Sequence, residues 1–311
     1  MLIKADARHI PLKDKSVQCV VTSPPYWRLR DYRDPKQIGL EPTPEEYLAS
    51  ILDVSKELYR VLKDDGTLWM NLGDSYSSGT RNYNSFRRDK APVCVPRISE
   101  NTGLQPKNLI GIPWRIALAM QAQGWNLRSD IIWEKPNAQP GATIDRPLTS
   151  HEYIFLFSKS LKYFYNTNEM KEPAICAGLR SSARKGSFNG KTEEMAITGR
   201  NAFRAITEDR NIRSVWRFST QKYSGAHFAT FPREIPERCI KAGSRPGDVI
   251  FDPFVGSGTT VMVAQDLGRV GIGLDLAYQE LAAERIGGTL FKQVVNSAFL
   301  SVSQIGGING Q

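Results

Sequence analysis

The sequence predicts an α/β fold, a doubly wound and largely parallel sheet with helices on both faces. Three observations carry this expectation. Strand-like and helix-like runs alternate through the N-terminal half, a glycine-rich loop joins a strand to a helix between Asp252 and Thr260, and a second strand follows that helix at once.

Taken in order, Val17–Thr22 (VQCVVT) is a β-branched run suited to a strand buried on both faces. Pro44 to Leu62 reads as a helix. Thr43 can cap it, Pro44 suits the first helical position, and Tyr47, Leu48, Ile51, Leu52, Leu58, Val61 and Leu62 recur at helical spacing. Asp64-Asp65-Gly66 is expected to turn the chain into a strand at Thr67–Leu72. Residues 73–107 are polar, basic and rich in turn formers, too long for an inert connector. A helix over Pro113–Gln123, ended by Gly124, precedes strands at Leu127–Glu134 and Tyr153–Ser158. Residues 166–225 show weak periodicity and many Arg, Asn, Ser and Gly, as a separate small module or irregular insert would. Pro246-Gly247-Asp248 turns into a strand at Val249–Asp252. A helix from Thr259 to Leu267, a strand at Val270–Leu274, a helix over Ala277–Ile286 and a frayed tail complete the chain.

The 311 residues suit one large or two modest domains, and 41% hydrophobic residues can fill a core. No apolar stretch approaches the ~20 residues of a membrane span, and the opening residues hold no signal-peptide run. Cys19, Cys94, Cys176 and Cys239 are too scattered for a CxxC pair or a disulfide framework, as are His9, His151 and His227 for a zinc site. No metal, no membrane and a cytoplasmic setting are therefore expected. The net charge of +9 is uneven: residues 159–245 hold 17 Lys/Arg against 8 Asp/Glu, and residues 76–107 hold 6 against 2. A mildly acidic scaffold with two basic inserts suits a polyanion-binding protein, although a solvated basic surface would look the same.

The loop DPFVGSGTT lies between strand and helix, where α/β folds bind nucleotide-like ligands at a helix N-terminus. No Lys follows its last glycine, so it is not a Walker loop, and Val261 stands where a dinucleotide fingerprint needs a third glycine. The next strand ends in Asp275, 23 residues beyond Asp252, placed to accept hydrogen bonds from ribose hydroxyls. Together these point to an adenosine-containing cofactor. A tight structural turn is the plainer alternative.

TSPPYW (22–27) follows the first strand. Two prolines remove two backbone donors and stiffen the loop, which leaves nearby carbonyls pointing outward. The loop offers the Ser23 hydroxyl, the Pro24 carbonyl and the aromatic faces of Tyr26 and Trp27. These suit a planar ring bearing an exocyclic amine, while a rigid turn with a buried tyrosine is the plain alternative.

TSPPYW followed later by DPFVGSGTT resembles the SAM-dependent DNA amino-methyltransferases, which methylate N4 of cytosine or N6 of adenine. In that family the first segment is the catalytic motif and the second the SAM motif; their order here resembles the β-class permutation. The resemblance extends over residues 1–165 and 226–290. It implies a Rossmann-like methyltransferase sheet in permuted order with a small basic target-recognition insert at 166–225. The catalytic half would span 1–165, the SAM-binding half 226–290 and the tail 291–311. It further implies a catalytic Ser23-Pro24-Pro25-Tyr26. Phe254, Gly256, Gly258 and Thr259 would line the SAM methionine pocket with Asp252 on the same loop. Asp275 would hold the ribose and Asp6 the adenine amine. HFATFP (227–232) resembles the segment that closes over the methionine end, and WEKPN (133–137) and SHEYIFLFSKS (150–160) resemble a strand pair at the far sheet edge.

The reaction so implied is transfer of a methyl group to an amine whose lone pair is delocalised into its ring. Ser23 and Pro24 would turn that lone pair toward SAM, and the base would be flipped out of double-stranded DNA to reach them. Within the resembled family, serine before Pro-Pro-Tyr is commonest in enzymes acting on N4 of cytosine, so the resemblance favours that target; N6 of adenine, an RNA or protein amide, and a non-catalytic DNA-binding role are the alternatives. Methylation at ring carbon five would want a Pro-Cys pair, and Cys94 stands in Pro92-Val93-Cys94. The resemblance also implies a prokaryotic or viral-host cytoplasm, a cognate restriction endonuclease as candidate partner, and a monomer or homodimer.

Overall fold

A computed structural model describes residues 1–77, 102–138, 140–141, 143–173, 209–220, 232–276, 282–283 and 286. Its main sheet contains β1 (Leu2–Lys4), β2 (Val17–Thr22), β3 (Leu62–Leu72), β4 (Asn126–Glu134), β5 (His151–Ser158), β8 (Val215–Arg217), β9 (Val249–Asp252) and β10 (Val270–Asp275). The strand order is β1-β10-β9-β2-β3-β5-β4-β8. From β1 to β3 the pairings are parallel, β5 is antiparallel to both β3 and β4, and β8 is parallel to β4. The expected doubly wound α/β sheet is therefore present, with one reversed strand.

Residue alternation explains how both faces are covered. Val20, Leu68, Met70, Phe251 and Leu274 join a core with α1 (Pro44–Val61) and α2 (Ile112–Ala122), through Tyr47, Ile51, Val54, Leu58, Ile116 and Met120. On the other face, Cys19 Sγ lies 3.9 Å from the Cys239 carbonyl of α3 (Glu234–Gly243). Cys19 and Cys239 are buried free thiols, filling space as small apolar groups. Helix α4 (Thr259–Asp266) packs beside β9 and β10.

Helix α1 begins as expected: the Thr43 side chain accepts from the Glu46 N–H at 3.2 Å, with Glu45 and Glu46 in the first turn and Arg60 in the last. Helix α2 has Gly111 at its N-cap and borrows a cap from elsewhere. Asp74, two residues past β3, accepts from the backbone of Gly111 at 3.1 Å and Ile112 at 3.2 Å.

Three expectations are corrected. Asp64-Asp65-Gly66 does not turn the chain, because β3 runs unbroken from Leu62. The surplus is absorbed as a bulge: Val17 pairs with Leu62, but Cys19 already pairs with Thr67. Val215–Arg217, expected inside the 166–225 insert, instead forms the outer strand of the main sheet. Helix α3 appears where no helix was expected; Ile235, Cys239 and Ile240 form its buried stripe.

Two compact units are resolved by their internal contacts. One comprises 1–165 and 214–311, and the other 166–213. In the second, β6 (Lys171–Pro173) and β7 (Asp209–Asn211) pair antiparallel, and Glu172 accepts from Arg210 Nε at 2.9 Å and Arg213 Nε at 3.2 Å. Most of the 73–107 loop, residues 227–231, nearly all of the expected 277–286 helix and the tail lie outside the described residues.

Candidate active site

The carboxyl ends of β1, β10, β9, β2 and β3 share one sheet edge, because these strands are parallel. Asp6, Asp275, Asp252 and Ser23 all lie at or just past those ends, so topology alone brings the predicted residues to one edge.

On the β9–α4 side the loop is shaped by backbone. Gly256 (φ +47°) and Gly258 (φ +83°) adopt left-handed conformations that favour glycine. The Val255 N–H donates to the Leu274 carbonyl at 3.0 Å, and the Gly256 N–H to Asp275 Oδ2 at 3.0 Å. Thr259 opens α4 directly after Gly258, so the helix N-terminus faces the loop. Phe254 is half-buried against the core. Asp6 lies one residue beyond Ala5, whose N–H donates to the Asp275 carbonyl at 3.2 Å. Burial raises the Asp6 carboxyl, but hydrogen bonds from Arg8 outweigh this and hold it below the ordinary aspartate value. Arg8 reaches it through its N–H at 2.9 Å and Nη2 at 2.7 Å. A glycine-lined cradle at a helix N-terminus, with carboxylates on two adjacent strand ends, fits an adenosine-bearing sulfonium cofactor.

Asp252, expected on the cofactor loop among the cofactor-binding residues, is turned into the protein. It is 2% exposed, and its carboxylate is taken up by the protein: Thr22 Oγ1 at 2.7 Å, Thr260 Oγ1 at 2.7 Å and the Phe254 N–H at 3.0 Å all donate to it. Desolvation pushes its pKa up to about 6 against those three donors. It thereby ties the end of β2, which carries the TSPPYW loop, to the glycine-rich loop.

The TSPPYW loop is fixed by side chains from distant strands. The Pro25 carbonyl does not point outward; it accepts from Tyr47 Oη of α1 at 2.8 Å. Trp27 is buried, and its Nε1 donates to the Glu41 carbonyl at 2.9 Å, so it belongs to the core and offers no ring face. Tyr26 Oη donates to Glu152 Oε2 at 2.6 Å and accepts from Asn71 Nδ2 at 2.8 Å. Asn71 Nδ2 also donates to Glu152 Oε2 at 2.8 Å and approaches Ser23 Oγ at 3.4 Å. Lys135 Nζ is paired with Glu152 Oε1 and sits 4.4 Å over the Trp133 ring. Gly73 makes room for Tyr26, since a Cβ there would stand 2.5 Å from Tyr26 Cε2. Asn71 Oδ1 is buried without a hydrogen-bond partner among the described residues, which costs about 1–3 kcal/mol.

Asn71, Glu152, Lys135, Tyr47 and Thr260 were absent from the predicted site. Lys135 and Glu152 do lie in the WEKPN and SHEYIFLFSKS segments, which offered a signal without a role.

The family of DNA methylases that modify N6 or N4 matches residues 17–284. The chain belongs to that family. It is thus a β-class SAM-dependent DNA amino-methyltransferase. Type II methyltransferase M.XycI of Xanthomonas campestris pv. cyanopsidis is 46% identical over 280 residues, covering 89% of this chain and 83% of that one. Type II methyltransferase M.SmaI of Serratia marcescens is 45% identical over 290 residues, covering 92% and 90%. Among solved structures, the putative DNA modification methylase TTHA0409 of Thermus thermophilus, complexed with S-adenosyl-L-methionine, has a TM-score of 0.56 at 26% identity, covering 92% of both chains. The PvuII DNA methyltransferase (cytosine-N4-specific) has a TM-score of 0.60 at 18% identity, covering 94% and 87%, and shares the fold. Among the described residues of this methyltransferase no His/Cys/Asp/Glu group could hold a metal, and no helix is long and apolar enough to cross a membrane.

Proposed function

We propose that this methyltransferase acts on N4 of a cytosine flipped out of double-stranded DNA. The observation that carries the reading is Ser23, a small hydroxyl held at the strand edge directly before Pro24-Pro25-Tyr26. Bound SAM supplies an activated methyl on its sulfonium. Ser23 Oγ and the Pro24 carbonyl accept the two N–H hydrogens of the target amine and so orient its lone pair. Pro25 stiffens the loop, and the Tyr26 ring packs against the base. A base in a duplex cannot reach this edge, so it must leave the stack at a cost of a few kcal/mol.

Asp275 would hold the ribose hydroxyls, Asp6 the adenine amine, and Phe254, Gly256, Gly258 and Thr259 the methionine end. Asp252, enclosed by Thr22, Thr260 and the Phe254 N–H, serves as the brace between the two loops. In this reading 1–165 and 226–290 hold the catalytic and cofactor halves, β8 belongs to their sheet, and the basic residues of 166–213 grip DNA. N6 of adenine is the alternative target, and a cognate endonuclease the expected functional partner.

The test is to incubate the protein with unmethylated genomic DNA and labelled SAM, digest to nucleosides and identify the product by mass. N4-methylcytosine is expected. N6-methyladenine would keep the mechanism and overturn the base, and no labelled nucleoside alongside SAM binding would overturn the DNA substrate.

A further inference from the structure

The Asp6 carboxylate is gripped by a single neighbour. The Arg8 N–H donates to Oδ1 at 2.9 Å, Arg8 Nε donates to Oδ1 at 3.0 Å while leaning toward Oδ2 at 3.2 Å, and Arg8 Nη2 donates to Oδ2 at 2.7 Å. An ionised carboxylate offers about four acceptor positions, shared equally between its oxygens. Among the described residues, Arg8 fills Oδ1 and takes one side of Oδ2, which leaves a single acceptor direction.

The fork is itself held. The other hydrogen of Arg8 Nη2 goes to the Lys36 carbonyl at 2.9 Å. Lys36 belongs to the segment that follows TSPPYW, where the Arg28 N–H closes onto the Gly39 carbonyl at 2.6 Å and the Gln37 N–H onto the Asp34 carbonyl at 3.0 Å. Gly39 in turn backs against the catalytic loop, since a Cβ there would stand 3.2 Å from Pro25 Cβ. A guanidinium fixed at both ends cannot pivot with its carboxylate as a solvated surface pair does. The pair is partly exposed and adds little to stability. What it contributes is direction: the planar fork fixes where both oxygens point, which the point charge of a lysine does not.

One remaining direction on a carboxylate suits one N–H donor. We propose that Arg8 is a positioning residue for cofactor selection, locking Asp6 so that its remaining Oδ2 direction accepts from a purine 6-amino group and gives no bond to a purine that lacks one. Arg8 acts through Asp6, on the reading above that Asp6 takes the adenine amine.

Calorimetry on the full chain with two ligands tests this: S-adenosyl-L-homocysteine, and its counterpart with hydrogen in place of the 6-amino group. Wild type should bind the amino compound at least about tenfold more tightly, the scale of one hydrogen bond to a charged group. In Arg8→Ala the ratio should fall below about threefold, because an unheld carboxylate must give up rotational freedom and water to meet the amine. Arg8→Lys keeps the charge but not the fork, and its ratio should fall likewise. The ratio is the decisive readout, because general damage to the site would weaken both ligands together and leave it unchanged. An Arg8→Ala ratio equal to that of wild type would overturn the proposal. So would a wild-type ratio in Arg8→Lys, which would make charge alone sufficient. If Arg8→Ala does not fold, Arg8→Lys decides alone. Wild-type protein that binds both ligands equally would defeat the assignment of Asp6 to the adenine amine, and the role of Arg8 with it, which separates the two failures.

Discussion

Gly256 donates to a carboxylate 19 residues away, on the very next strand, whereas Tyr26 reaches 126 residues along the chain to Glu152. The two loops stand at one sheet edge and are built by different means. The glycine-rich loop is held by backbone geometry and by its neighbours in sequence, Leu274 and Asp275. The TSPPYW loop has lost two backbone donors to proline and is held from behind by Tyr47, Asn71 and Glu152, from α1, β3 and β5. A binding cradle can be encoded locally. The orientation of an amine proposed for the TSPPYW loop would draw on side chains gathered by the tertiary fold.

Asp252 is where the comparison should break most visibly, since it belongs to both loops. Asp252→Ala leaves the Thr22 and Thr260 hydroxyls and the Phe254 N–H without their acceptor. SAM affinity and methyl transfer should therefore fall together, transfer by roughly a hundredfold, or about 3 kcal/mol. Equilibrium binding and single-turnover rates on one preparation check this, and a fall in only one would show that Asp252 serves one loop alone.

The same carboxyl predicts a pH dependence of stability. Its folded pKa of about 6 lies above the ordinary aspartate value, so the native state holds a proton that the unfolded chain has released. Stability should therefore fall as pH rises from about 4 to about 6, by on the order of 3 kcal/mol from this group. Urea unfolding of wild type and Asp252→Asn across that range should give a stability difference between the two that changes by this amount, and a difference independent of pH would contradict it.

Gly73→Ala sharpens the contrast from the catalytic side. A methyl group 2.5 Å from Tyr26 Cε2 must displace the ring, with an overpacking cost of about 1–3 kcal/mol. Turnover should drop roughly tenfold while SAM affinity holds, because the atoms crowding Gly73 belong to Tyr26 and not to the β9–α4 loop. A weakened SAM affinity would mean that the two loops are less separable than their hydrogen bonds indicate.

The smallest effect is expected in the second compact unit. Neutralising Arg210 and Arg213, which now share Glu172, should reduce the slope of log affinity for DNA against log salt by roughly 0.9 for each phosphate no longer neutralised. An unchanged slope would place the DNA footprint elsewhere.

How much the sequence revealed follows the same division. The strands and helices with clean periodicity, such as Val17–Thr22 and the Thr43-capped α1, stand where they were expected. So does the strand, loop, helix and terminal acid of the glycine-rich segment, because each part lies beside the next in the chain. Asp64-Asp65-Gly66 misled because turn-forming residues also suit a bulge, which spends a surplus without reversing the chain. Helix α3 was overlooked because Pro236 sits in its first turn and its buried stripe is short. Asn71, Lys135 and Glu152 carry no local pattern that marks them. Only the pairing of β5 with both β3 and β4 brings Glu152 to Tyr26. The motif places Asp252 on the cofactor loop, and only its three donors reveal a brace.

The most direct measurement compares Ser23→Ala with Asp275→Ala, each assayed for SAM affinity by calorimetry and for methyl transfer to DNA in a single turnover. Ser23→Ala should slow transfer by roughly a hundredfold, the scale of removing one hydrogen bond to the transition state, and bind SAM as wild type does. Asp275→Ala should weaken SAM binding by roughly 1.5–3 kcal/mol, and transfer at saturating SAM should largely recover. If Ser23→Ala no longer binds SAM, or Asp275→Ala binds it normally, the division of labour between the two loops is wrong.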